Sequence, residues 1–262
     1  MITRHVASLR GCAVLIVATV LGTAPPARAQ SQVRSEPGPS RCGEPPTVGG
    51  IARETLQDFG RLRSTGSLGL LAVGGAAALS AHSLDRDVTR EFPGMNLNNA
   101  FTPGAVIGST PFQLGASIGT YAIGRAFGNS CVARVGADLI QAQVMAETLT
   151  MIFKQAARRS RPEGTGYSFP SGHTTVTFAS ATVLQRHFGW KVGLPAYAVA
   201  TYVAASRVEM KKHYLSDVAF GAALGIAAGR TVPIGHGQRL LISPMASPSG
   251  VGASFSLLGS SK

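Results

Sequence analysis

The chain is poor in charge, in cysteine and in long apolar runs. Charged residues make up only 14% of its 262 positions, and apolar ones 45%. That is more apolar and less charged than an average soluble protein, and it leaves ample material for a sizeable core. Acids are scarcest, 12 against 24 basic residues, for a formal charge of +12. No nucleic-acid motif and no internal repeat accompanies this basicity. Beyond the N-terminal segment, no stretch joins about 20 strongly apolar residues, as a bilayer span requires. Residues 64–84 are long enough but diluted by Gly, Ala and Ser. Residues 192–206 offer 15 uncharged positions, and Val218 to Gly229 offers 12, roughly 18 Å of helix. The polar Asp138, Gln141, Gln143 and Glu147 make their helix unsuited to lipid on every side. These shortages favour a globular exported domain, resting on a membrane at most, over a six-span protein.

The first 29 residues read as a secretory signal: Arg4 and Arg10, an apolar stretch from Gly11 to Leu21, then Ala27-Arg28-Ala29 as a small-x-small cleavage site. Its removal takes away three arginines and no acid, and Cys12 goes with it. Cys42 and Cys131 remain, either paired in an oxidising periplasm or present as two free thiols. Residues 30–50, rich in Ser, Pro and Gly, read as an extended leader.

Helical spacing then recurs along the chain. Helices are predicted over 51–63, 64–84, 112–128, 132–157, 174–188, 192–206 and 216–229. Residues 85–92 read as a charged connector, with Asp85 and Asp87 in a solvated turn. Residues 93–111, with three prolines and an Asn cluster, read as loop or broken helix. Gly221, Gly225 and Gly229, four apart, form a smooth strip for close helix packing. In the tail, Val251, Ala253, Phe255 and Leu257 alternate at strand period and can pair with Arg239 to Ser243. The expected fold is all-α: a bundle of about six core helices over 51–238, with a small β-hairpin in 239–262.

The chemistry concentrates in 64 residues. Lys154 and Arg161, seven apart on one helix face, form K-x6-R-P with Pro162. Pro170-Ser171-Gly172-His173 reads as a helix start, with Ser171 as cap and Gly172 permitting close backbone approach; free amides at such a start bind anions. Ser206-Arg207, five residues, His213, three residues, Asp217 completes the set. His213 and Asp217 are helical neighbours, and a carboxylate there orients an imidazole and stabilises its protonated form. Together these groups supply what phosphoryl transfer needs: fixed cations, amide donors, a nucleophile and an acid. Arg158, Arg159, Lys211 and Lys212 read as a solvated charge run that also draws in anions. His5, His82, His187 and His236 read as structural.

All eleven of these positions resemble the signature of the type 2 phosphatidic acid phosphatase superfamily, which includes class A acid phosphatases, lipid phosphate phosphatases and vanadium haloperoxidases. The resemblance implies an exported phosphoric monoester hydrolase acting through a phosphohistidine. His213 is then the nucleophile, Asp217 its orienting group and His173 the acid. Lys154, Arg161, Ser171, Gly172 and Arg207 hold the phosphate, and neither metal nor cofactor is required. The expected partner is a phosphorylated lipid or small molecule. A vanadate-dependent haloperoxidase and a non-catalytic protein that binds phosphate or anionic lipid are the alternatives. The Lys pair before His213 departs from the small or apolar residues common there in the family's lipid phosphatases.

Overall fold

The computed structural model describes residues 42, 44–91, 98–234, 238–247 and 250–259, all within one unit, Pro39–Lys262. The signal segment and most of the leader lie outside the described residues. Nine helices occur among those described. They are α1 (Val48–Arg61), α2 (Thr65–His82), α3 (Asp85–Glu91), α4 (Asn98–Ile107), α5 (Thr110–Ala126), α6 (Ser130–Ala157), α7 (Gly172–Phe188), α8 (Trp190–Glu209) and α9 (Leu215–Thr231). Two antiparallel strands follow, β1 (Gln238–Ser247) and β2 (Gly250–Gly259). Arg239 pairs with Leu258 and Ser243 with Ser254, so the expected hairpin forms and is longer than the alternation indicated.

Helix starts follow local chemistry. Thr47, Ser64, Ser109, Asn129 and Ser171 each accept a bond from a first-turn amide of the following helix, meeting donors the helix itself leaves open. Pro111 sits in the first turn of α5, where a missing N–H costs nothing. Of the 93–111 region, the described residues 98–111 form the broken helix of the two alternatives: α4 ends at Ile107 and α5 begins at Thr110.

The core lies between α6, α7 and α9, where Leu139, Met145, Val176, Val183 and Ala228 are buried together. A second cluster joins Ala78, Phe220 and Leu224 with Phe153 and Phe169. The α7–α9 contact depends on the glycine strip. A Cβ at Gly221 would lie 2.9 Å from the Ser171 carbonyl oxygen, one at Gly229 would lie 2.8 Å from that of Ala179, and one at Gly225 would overlap that of Thr175.

Two expectations need correction. Residues 85–91 form helix α3 rather than a connector, and Asp85 is buried at 2% exposure rather than solvated. A carboxylate tolerates this only with partners, and these come from residues distant in sequence. The polar face of α6 also turns inward. Asp138 binds His187 Nε2 at 2.8 Å and Arg134 Nε at 3.1 Å, and Gln143 donates to Ser180 and to the Val176 carbonyl. Its polarity therefore says nothing against an apolar exterior. Val144, Met151 and Ile152 of the same helix are exposed. No single described helix is long and apolar enough to cross a membrane; α1 and α2, bent by 69°, pass that test only as a pair. Cys42 and Cys131 form a disulfide, with Cα atoms 5.2 Å apart.

Candidate active site

The eleven singled-out positions converge on one end of the bundle, where α6 and α8 end and α7 and α9 begin. Lys154 is in the last turn of α6. Arg158, in the left-handed conformation, stops that helix, and the chain turns into the segment that carries Arg161. Lys154 Nζ donates to the Tyr167 carbonyl at 3.0 Å, and Arg161 Nε donates to the same carbonyl at 3.3 Å. Arg161 lies beyond the end of α6 and does not share a helix face with Lys154, contrary to what the spacing predicted; the two cations meet instead at the Tyr167 carbonyl. Pro170, after a cis peptide bond, leads into Ser171, whose backbone N–H donates to the Asp217 carbonyl at 3.1 Å. This bond ties the start of α7 to the first turn of α9. Ser206 and Arg207 lie in the last turn of α8, where the Arg207 carbonyl accepts from the His213 amide at 3.2 Å. That closes the turn that brings His213 back beside Arg207.

Asp217 is fully buried. Its Oδ2 accepts from the Tyr214 amide at 2.8 Å as half of a capping box, and its Oδ1 accepts from Arg159 at 2.8 Å. His213 lies in the turn before α9 and not on one helix with Asp217, contrary to what the spacing predicted. Its Nδ1 is 3.7 Å from Asp217 Oδ2, beyond hydrogen-bond length, and has no partner. Arg207 Nε is buried and also unpartnered. His173 is held from above by α4. Gly104 lies against Ser206, and Gly108 against Val203 and His173, so the α4 backbone comes close enough for the Ala105 carbonyl to accept from the His173 ring.

The electrostatics describe a site that wants an anion. Burial lowers Lys154 to about 8, and the Arg161 charge adds to this. Burial and then Arg161 lower Arg207. His173 falls to about 4 through burial, Arg207 and His213. Burial also pushes His213 down, with Lys154 and Arg161 assisting and Asp217 opposing. Cations that repel one another across a shared space are each stabilised by a multiply charged anion placed between them. The space combines them with the amides at the start of α7.

Residues 143–240 match the sequence profile of the PAP2 superfamily. The PAP2 superfamily is thus the family that this segment of the chain matches. The PAP2 segment contains every one of the eleven positions. Over 80 residues the chain is 40% identical to a lipid A 1-phosphatase from Porphyromonas gingivalis, a match covering 29% of this chain and 18% of that one. Over 106 residues it is 35% identical to a decaprenylphosphoryl-5-phosphoribose phosphatase from Mycobacterium tuberculosis, covering 36% and 58%. The chain thus spans less than two thirds of each of these curated relatives. A transmembrane PAP2 type phosphatidylglycerolphosphate phosphatase from Bacillus subtilis has the same fold, with a TM-score of 0.52 at 19% identity over 70% of this chain and 92% of that one.

Two residues near the PAP2 pocket are not where the sequence put them. Arg159 is not a solvated cation. It binds Asp217, Ser216 and Asp85, and its guanidinium carbon lies 4.0 Å above the Tyr214 ring. Asp85, outside the PAP2 segment, reaches the first turn of α9. Their one sequence signal was an arginine inside the K-x6-R spacer, which composition alone cannot separate from a surface charge. Lys212 pairs with Glu163, while Lys211 and Arg158 stay exposed.

Proposed function

We propose that this chain is an exported phosphatase that hydrolyses phosphate monoesters of lipids through a phosphohistidine on His213. The observation that carries the reading is the group of mutually repelling, partly unpartnered cations around His213 and His173. Lys154, Arg161, Arg207 and the amides following Ser171 would hold the three non-bridging oxygens. His213, kept neutral by burial and with Nδ1 on the Asp217 side, would attack phosphorus through Nε2. The P–O ester bond breaks as the N–P bond forms, and the leaving oxygen takes a proton from His173. Phosphate in the pocket offsets the repulsion from Arg207, so His173 gains its proton as substrate binds. Water then attacks phosphorus, passes a proton to His173 and releases phosphate from His213.

Two features favour a lipid ester over a soluble one. A wholly apolar groove of about 350 Å³ runs between α8 and α9, lined by Phe178, Ala204, Val208, Leu215 and Ala222. Val208 follows Arg207 in sequence and Leu215 lies two positions from His213, so the groove is lined by sequence neighbours of the site residues. The outer faces of α2, α5 and α8 expose Leu68, Val73, Leu79, Phe112, Ile123 and Leu194, apolar contact that suits a bilayer better than water.

The test is phosphate release by the purified protein from an aryl phosphate and from long-chain phosphatidic acid, with and without chelator. Acid-labile, base-stable labelling of the protein by radioactive phosphate, lost in His213→Ala, is the expected result. Turnover that requires added magnesium or zinc would overturn the mechanism. Equal KM values for soluble and long-chain substrates would overturn the lipid assignment.

A further inference from the structure

Asp85 is an odd carboxylate. It stands on α3, far in sequence from the pocket, yet it is almost wholly buried and accepts from four donors. These are the Ser216 amide at 2.9 Å, Ser216 Oγ at 2.6 Å, Arg159 Nη2 at 2.7 Å and, with the proton on the ring, His82 Nδ1 at 3.0 Å. Burial works against its charge, but the bonds from Arg159 and Ser216 outweigh burial and hold the carboxyl below its usual range. Arg159 uses its other arm, Nη1, on Asp217 Oδ1 at 2.8 Å and Ser216 Oγ at 2.7 Å. An unbroken chain of charge-assisted bonds therefore runs from α3 to the carboxylate behind His213.

The geometry of Asp217 gives this chain a consequence for the reaction. Arg159 holds one carboxylate oxygen and the Tyr214 amide the other. The plane of the carboxylate is set by that pair, and His213 Nδ1, still unpartnered at 3.7 Å, must close onto a fixed acceptor. Without Arg159, Oδ1 loses its partner and the carboxylate can rotate about its single remaining bond. Misplacement by about 1 Å at a reacting centre is worth on the order of 10²-fold in rate. Arg159 is also spent on carboxylates, and its ring contact with Tyr214 fixes it there.

We infer that Arg159 and Asp85 are positioning residues for phosphoryl transfer: Arg159 sets the Asp217 carboxylate against His213, and Asp85 sets Arg159. Neither touches phosphate. The inference rests on the phosphohistidine reading.

The experiment compares Arg159→Gln, Arg159→Lys, Arg159→Gly, Asp85→Asn and the Arg159→Gln/Asp85→Asn double variant, with kcat taken per folded molecule. On an aryl phosphate, Arg159→Gln should lower kcat by about 10²-fold, with KM and the inhibition constant for inorganic phosphate changed by less than about threefold, because Lys154, Arg161 and Arg207 remain. Asp85→Asn should lower kcat by about tenfold, and the double variant should be no slower than Arg159→Gln, since both changes break one chain. Arg159→Lys should keep more activity than Arg159→Gln, and added guanidinium ion should raise kcat of Arg159→Gly. A raised phosphate inhibition constant with unchanged kcat would make Arg159 a substrate ligand and overturn the inference. Unchanged kcat with a lowered Tm would reduce the chain to structural support and equally overturn it. If Arg159→Gln does not fold, Arg159→Lys and guanidinium rescue decide. Should His213→Ala retain turnover, the phosphohistidine reading fails by itself, which the arginine variants would not reveal.

Discussion

In the proposed mechanism His173 and His213 do different things, and substitutions should separate them. His213→Ala is expected to abolish turnover, because in that mechanism His213 alone accepts the phosphoryl group. His173→Ala should cost about 10²–10⁴-fold on alkyl esters, and less on an aryl phosphate whose leaving oxygen needs little protonation. Steady-state rates on the two substrates check this; equal losses would remove His173 from the acid role. Its lowered pKa has a second consequence. Folding moves His173 from 6.5 to about 4, so between these values the unfolded chain binds a proton that the folded one refuses. The stability it contributes is complete above pH 6.5 and is lost as pH falls towards 4, by up to about 3 kcal/mol. Melting curves across this window should be flatter for His173→Gln, and bound phosphate should flatten them in the unmodified protein.

At the scale of elements, the site depends on how closely α9 approaches α7. The Ser171 amide reaches the Asp217 carbonyl only because Gly221, Gly225 and Gly229 let the two backbones nearly touch. Gly225→Ala must push the Thr175 backbone away. It should cost about 1–3 kcal/mol in stability and also lower kcat, since the shift reaches the site. Thermal melting with parallel kinetics tests both, and an unchanged Tm would show that the helices tolerate separation. The four-residue glycine period made close packing of α9 legible in advance, though not that α7 would be its partner. The inward turn of α6 was not legible, because Asp138 and Gln143 look the same in a sequence whether they meet water or His187 and Ser180.

The whole molecule sets two further expectations. Charge alone argues for attachment to anionic lipid that high salt removes. The apolar outer faces of α2, α5 and α8 argue for a hydrophobic attachment that salt leaves intact. In fractionated cells the protein should therefore stay with membranes through high-salt washing and come off in detergent; release by salt would assign the exposed side chains to another contact. The Cys42–Cys131 disulfide closes a separation of 89 residues. Reduction should lower stability by about 2–5 kcal/mol, seen as a lower Tm in reductant, and a Cys42→Ser/Cys131→Ser variant should show the same Tm with and without reductant.

The sequence by itself determined seven of the helices, the Ser171 cap and the residues that gather at one end of the bundle. K-x6-R and His-x3-Asp marked residues that the fold brings together but not one helix face, since α6 stops at Ala157 and α9 starts at Leu215. The Ser-Gly helix start was legible from spacing within one turn. Periodicity of this kind is printed along the chain and needs no knowledge of what docks against it. Only the tertiary structure decided that Asp85 is buried, that Arg159 is bound to two carboxylates, that Cys42 meets Cys131 and that the Ala105 carbonyl caps His173. Each of these joins residues far apart in sequence, and a buried charge becomes tolerable only when such a partner arrives. Its energy therefore belongs to the packing of α3, α4 and α9 together, and no local pattern records it.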